Sequence, residues 1–403
     1  MVLFKYAFLL LLFIPMQALA FTTGQNATLV IGHSDFNTGG TIHDNASAST
    51  LYLPEGIAFD KEGNLWVVDT GFNRILMFAP PFTNGKDATL VIGQGNFTST
   101  GPALSASGLD QPYGMAFDRD GNMWVADTNN NRIVEYKAPF TTGESASIVI
   151  GSPSFDKGVY PTTASSLAAP YGIAFDKSGN LWAVDYYDNR ILEYVSPFKN
   201  LMNASLVIGQ SDFTSNSDGS TKDRTNLPSS IAFDSTGNLW ATDSLNNRAL
   251  EFAQPFSTDE QASLVIGQKD FTGNDAGIEN DSLNTPYGII FDKSENLWIT
   301  DGNNARVLEY EKPFSNGMNA SAVLGQADFE GMHEGTSSNM LAEPYDVKVD
   351  DKGNLWVADT DNNRVLEFSS TSAVPEFGPL ALVMLAVSIT ILVLLTRSKL
   401  NLF

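Results

Sequence analysis

The sequence predicts an all-β protein: six four-stranded antiparallel sheets set radially as a six-bladed β-propeller, closed by an N-terminal strand, with one transmembrane helix near the C-terminus. Three sets of positions predict it. Pro54, Pro112, Pro170, Pro228, Pro286 and Pro344 stand 58 residues apart. The six tryptophans, Trp66, Trp124, Trp182, Trp240, Trp298 and Trp356, keep the same step, and so do Arg74, Arg132, Arg190, Arg248, Arg306 and Arg364. A fixed period held by three residue types is the mark of a repeat architecture.

One unit, read from Tyr113, is YGMAFD-RDGN-MWVAD-TNNNR-IVEY-KAPFTTGESA-SIVIG. It holds four strand candidates, at 114–118, 123–127, 132–136 and 146–151. The first two are joined by Arg119, Asp120, Gly121 and Asn122, where Gly and Asn tolerate the positive φ of a tight turn. Four antiparallel strands repeated radially make propeller blades. The last unit stops after its third strand, at Phe368, while a spare fourth strand stands at 27–32 (ATLVIG), matching 88–93, 204–209 and 262–267. The N-terminal strand is therefore expected to complete the sixth blade, which removes two open sheet edges.

The repeated Trp is expected to fill the wedge between neighbouring blades. The Asp closing each second strand (Asp69, Asp127, Asp185, Asp243, Asp301, Asp359) precedes the repeated Arg by five residues, a spacing suited to a carboxylate–guanidinium pair that fixes the intervening loop. The pattern P-x-G-I-A-F-D, G-N-L-W-V-x-D, N-N-R-I-L-E-Y, seen at Pro170 to Arg190 and at Pro344 to Arg364, resembles NHL repeats. The resemblance implies the propeller fold across the ectodomain. It leaves function open, since NHL propellers serve as protein-interaction, RNA-binding and sensor domains, and related propellers host lyases and lactonases.

The ends differ from the repeats. Residues 1–20 read as a signal peptide, with Lys5, a short apolar run and Ala18-Leu19-Ala20 as a cleavage signal. The propeller is assigned to 21–370 and a linker to 371–378. Within the linker, Pro375, Glu376, Phe377 and Gly378 precede an apolar run at 379–396 and a basic tail at 397–403. At ~1.5 Å per residue the run reaches about 27 Å, enough to cross the hydrocarbon. Motif, helix and basic tail together resemble the PEFG-type C-terminal sorting signal of archaeal surface proteins. That resemblance implies an archaeosortase-like processing enzyme as a partner and a propeller anchored outside the cell. The net charge of −23 argues against nucleic acid as a partner. The absence of cysteine excludes disulfides, thiolate catalysis and Cys-ligated zinc.

Function is expected where the blades differ. The second-to-third loops and the inter-blade loops open on one face. Before each inner strand stands Glu55, Tyr113, Tyr171, Ser229, Tyr287 or Tyr345, so four tyrosines and a carboxylate would ring the channel mouth, or each would cap its own blade. Phe72, Tyr186, Tyr187 and Leu245 in the second-to-third loops are expected as exposed apolar residues of a partner site. Lys348 replaces the Ala or Ile of other blades, to meet an anionic ligand or to pair with a neighbouring Asp. These features point to a surface binding or scaffold module for a protein, peptide or glycan rather than to an enzyme. The alternative is a lyase or hydrolase using zinc or copper held by His33, His43 and His333 with Asp35, Asp44 or Glu334; calcium at the repeated Asp is a further metal reading. No cofactor is otherwise expected. Asn-x-Ser/Thr sequons at Asn26, Asn45, Asn96, Asn203, Asn280 and Asn319 are glycosylation candidates.

Overall fold

The computed structural model describes residues 19–39, 45–158 and 161–372. The signal-type residues 1–18, His43, Asp44, the Pro375–Gly378 motif and the apolar run at 379–396 lie outside them. Among the described residues no helix is long and apolar enough to cross a membrane.

Residues Phe21–Ser369 form one compact unit. Its first blade is built from Pro54–Phe59, Leu65–Asp69, Arg74–Phe78 and Leu90–Ile92, hydrogen-bonded in that order as an antiparallel sheet. The second repeats it with Pro112–Phe117, Met123–Asp127, Arg132–Tyr136 and Ile148–Ile150. Blades three to five follow, starting at Pro170, Pro228 and Pro286. The sixth takes Pro344–Val349, Leu355–Asp359 and Arg364–Phe368 from the C-terminal end, and its outermost strand is Leu29–Ile31, paired antiparallel with Arg364–Phe368. A second unit, of residues 1–20 and 370–403, contains a short antiparallel pair, Leu19–Ala20 with Thr371–Ser372.

The outermost strands are shorter than predicted, three residues rather than six. At one end Gly151 takes a φ of 88°, which turns the chain out of the sheet. At the other the Ala146 amide donates to the Ala106 carbonyl of the inter-blade loop, 2.8 Å away, and not to the ladder.

Packing between blades follows the sequence. All six Trp rings are fully buried. Trp66 meets Phe117 and Phe140 of the next blade edge-on, with centroids 5.8 and 5.0 Å away. The arrangement recurs round the ring until Trp298, which meets Phe21 at 4.9 Å. The N-terminal segment therefore completes the blade-five wedge as well as the blade-six sheet. It also clasps the outer strand of blade five, where the Gly24 amide donates to the Val323 carbonyl at 3.0 Å. Gly143, Leu201, Asp259 and Gly317 do the same for the blades before them.

Each Asp–Arg pair is fully buried with contacts of 2.6–2.7 Å. Arg74 donates to Asp69 through Nε and to the carbonyls of Phe97, Ser47 and Thr50 through its other nitrogens. One guanidinium thus ties the loop entering its blade to the loop leaving it. The other oxygen of Asp69 accepts the Tyr52 amide at 2.6 Å. A buried charge is tolerated only with partners of this kind. A second carboxylate, unremarked in the sequence, closes the turn at the opposite end: Asp60 accepts from the Asn64 amide and from Trp66 Nε1.

Candidate functional site

The innermost strands line a central channel with a cavity of about 470 Å³. Phe59, Phe117, Phe175, Phe233, Phe291 and Val349 line it at the C-terminal ends of these strands. Glu55, Tyr113, Tyr171, Ser229, Tyr287 and Tyr345 line it at the other end, one residue after each repeated Pro. Between the two ends the strands run so close that only glycine fits at several positions. A Cβ on Gly56 would stand 2.1 Å from the Tyr113 carbonyl oxygen, and one on Gly114 2.3 Å from that of Tyr171.

The mouth tyrosines pack on each other across blade boundaries. Tyr171 stacks on Tyr186 (3.9 Å) and on Tyr113 (4.1 Å). Tyr113 reaches Tyr345 at 6.2 Å, and Tyr345 stacks on Tyr287 at 3.9 Å. The result is a continuous arc from blade three, through blade two, past blade one to blades six and five. Local sequence permits it. In blade five Gly302 replaces the Thr found at position 70, and a Cβ there would stand 2.5 Å from the Tyr287 ring. In blade three Tyr186 replaces the same Thr and supplies the last ring of the arc.

Beside the arc lies a group of carboxyls. Glu55 Oε2 is buried and has no hydrogen-bond partner. Burial pushes the Glu55 carboxyl well above the usual carboxylate range, the charges of Glu343 and Asp361 add to this, and the Thr70 and Tyr113 hydroxyls oppose it. Burial and the Asp361 charge raise Glu343, and burial raises Asp361. The Tyr287 hydroxyl donates to Glu343 Oε1 at 3.3 Å. Sequence reasoning missed Glu343 and Asp361. The signal lay in departures from the repeat: Glu343 stands where other blades carry Leu53, Gln111, Ala169, Leu227 and Thr285, and Asp361 where they carry Gly71, Asn129, Tyr187, Leu245 and Asn303.

The remaining candidates separate. Tyr187 (63% exposed) and Leu245 (48%) are open to solvent. Phe72, expected to be exposed, is buried: Tyr52 lies over it at 5.4 Å and the Arg74 guanidinium stands 5.0 Å from its ring centroid. Lys348 pairs with Asp346 at 2.5 Å, and the second oxygen of Asp346 accepts the Ile57 amide of blade one at 3.0 Å. His33 is buried with Nε2 3.0 Å from the Asn362 carbonyl, in the position that Gln94, Gln210, Gln268 and Gln326 hold in other blades. The His333 carbonyl accepts from Gln326 Nε2 at 2.9 Å, and its side chain is exposed. Among the described residues no three His, Cys, Asp or Glu side chains gather where a metal ion would be held. Of the sequons, Asn26, Asn45, Asn96, Asn203 and Asn319 are exposed and Asn280 is half-buried.

The chain carries NHL repeats: a profile of the NHL repeat matches residues 109–136 and 341–368. Among solved structures it is similar to an auxiliary nutrient binding protein from Bacteroides ovatus, at 12% identity and a TM-score of 0.53, covering 87% of this chain and 78% of that one. A second auxiliary nutrient binding protein, from Bacteroides thetaiotaomicron, is 10% identical with a TM-score of 0.54, over 85% of this chain and 76% of that one. Virginiamycin B lyase from Staphylococcus aureus is 15% identical with a TM-score of 0.47, over 78% of this chain and 94% of that one. At these identities the likeness is one of fold.

Proposed function

We propose that the propeller is a binding module, displayed outside the cell, whose ligand enters at the tyrosine end of the channel. One observation carries this reading. Glu55, Tyr186 and Glu343, which each break the repeat, lie with the mouth tyrosines, whereas the framework Trp, Asp and Arg are alike in all six blades. A framework residue serves every blade equally; residues that serve a ligand have no reason to repeat. Tyrosine suits such a site because it offers a large apolar face and a hydroxyl at low entropic cost. Tyr187 and Leu245 extend the surface onto adjoining loops of blades three and four. The signal-type residues 1–20 and the apolar run at 379–396 support the surface location, and the ligand is an extracellular protein, peptide or glycan.

The test is a glycan and peptide array probed with the full chain and with Tyr187→Ala and Tyr171→Ala. A ligand of the mouth should lose about tenfold or more in affinity in each variant, as expected for an aromatic anchor. Equal binding by all three proteins removes the mouth from consideration.

A further inference from the structure

The mouth of the channel lacks one ring. Its six inner positions hold Tyr in blades two, three, five and six, Glu55 in blade one and Ser229 in blade four. At blade one the rings meet across the gap, since Tyr113 reaches Tyr345 at 6.2 Å. At blade four the arc stops, with Tyr186 as its last ring on the blade-three side and Tyr287 on the blade-five side. Between them stands Ser229-Ser230, where blades two, three and five have Tyr-Gly. Tyr171, Ser229, Ser230 and Tyr287 all line the cavity, so the vacancy is open to it. The Ser229 hydroxyl is engaged within its own blade, 2.6 Å from that of Ser244, which donates to the Pro286 carbonyl. Ser230 bonds to Thr242 through its backbone, and among the described residues its hydroxyl makes no hydrogen bond.

A second departure from the repeat falls in the same sector. At the second position of the second-to-third loop, blades one, two, five and six carry Gly71, Asn129, Asn303 and Asp361, while blades three and four carry Tyr187 and Leu245. Both of these are exposed, and Tyr187 meets Tyr186 edge-on at 5.2 Å. The rings that end the arc lie nearly parallel to their neighbours: Tyr186 to Tyr171 at 9° and Tyr287 to Tyr345 at 11°, each pair with centroids 3.9 Å apart. A flat ring is what such a stack lacks. The unpaired Ser230 hydroxyl offers a hydrogen bond to a polar group on that ring. A sugar would bring hydroxyls against Leu245, where they gain no partner.

We propose that the blade-four vacancy seats a planar aromatic ring bearing a polar group, in the place of the missing tyrosine, and that Tyr187 and Leu245 hold the apolar group to which the ring is joined. This rests on the mouth being the binding site and names the chemical class of its ligand. A free phenol and the tyrosine side chain of a peptide present the same chemistry.

Calorimetric titration of the full chain tests it, with p-cresol, its non-planar counterpart 4-methylcyclohexanol, acetyl-Leu-Gly-Tyr-amide and a neutral disaccharide. Saturable binding of p-cresol and none of 4-methylcyclohexanol is expected. The double substitution Ser229→Tyr with Ser230→Gly fills the vacancy with the chain's own ring. Blade five already combines Tyr287 and Gly288 with Thr300, whose hydroxyl accepts the Gly288 amide as that of Thr242 accepts the Ser230 amide, so the variant should fold. Its affinity for p-cresol should fall by about tenfold or more, the loss expected when an aromatic anchor is shut out of its pocket. Photolabelling with 4-azidophenol keeps the test open should the variant fail to fold: mass spectrometry should find the label on residues 229–231 or on Tyr287. Tighter binding of the peptide than of p-cresol, lost in Leu245→Ala, identifies a side chain as the source, and equal or weaker binding a free aromatic molecule. The aromatic assignment is overturned if 4-methylcyclohexanol binds as well as p-cresol, if p-cresol does not bind, if the double variant binds it unchanged, or if the label falls only elsewhere. A disaccharide that binds and is lost in the double variant would end the aromatic assignment while leaving the mouth as the site.

Discussion

Tyr136, Tyr194 and Tyr310 end their third strands with hydroxyls that are buried and have no hydrogen-bond partner. The same position holds Phe78, Phe252 and Phe368 in the other blades. A buried hydroxyl without a partner carries a desolvation cost that nothing offsets. Replacing each by Phe is expected to leave stability unchanged or raise it by up to ~1 kcal/mol, read by urea unfolding; a clear loss of stability would mean that the hydroxyls are hydrogen-bonded after all. Much of the framework at this scale was legible, because a residue present six times in register declares its importance. The Asp–Arg pairs and the buried Trp were read that way. Glu343 and Asp361 were not, since a residue that occurs once is seen only by comparing each copy with the rest, position by position. Phe72 was misread because its loop is polar: Tyr52, twenty residues earlier in the chain, covers it, and no local pattern reports that contact.

Strand identity and order followed directly from the repeat, and the details that escaped were those set by neighbouring blades. The outer strands end early because Gly151 and its equivalents turn the chain and the inter-blade loops take the Ala amides. Phe21 escaped because the spare strand was read as beginning at Ala27. The copy begins earlier: Phe21-Thr22-Thr23-Gly24 stands for Phe82-Thr83-Asn84-Gly85. The inner strands yield the sharpest prediction. Gly56→Ala is expected to cost ~2 kcal/mol or more, because its methyl would meet the Tyr113 carbonyl 2.1 Å away and backbone cannot yield as a side chain does. Gly63→Ala, at a φ of 79° with nothing within 4 Å, should cost only about 1 kcal/mol, from backbone conformation alone. Thermal unfolding of the two variants compares them directly, and equal losses would refute the close approach of blades one and two.

The unit Phe21–Ser369 is a ring in which its own first segment holds three places at once. Leu29–Ile31 completes a sheet, Phe21 fills a wedge and Gly24 clasps an outer strand. Deleting residues 21–31 is therefore expected to abolish cooperative unfolding and leave the Arg364–Phe368 edge open to pair with other chains. Size-exclusion chromatography should then show oligomers, and a synthetic peptide of residues 21–32 should restore the monomer; a monomer with an unchanged melting temperature would sink the closure scheme. The same feature sets a timetable. Leu29–Ile31 is among the first parts of the propeller to leave the ribosome, and Arg364–Phe368 is among the last. At about 5–20 residues per second the early strand waits on the order of a minute or less for its mate. Throughout that interval it is an orphan with an apolar face, so a nascent chain of this design depends on being shielded, or kept from collapsing, until the last blade has been made.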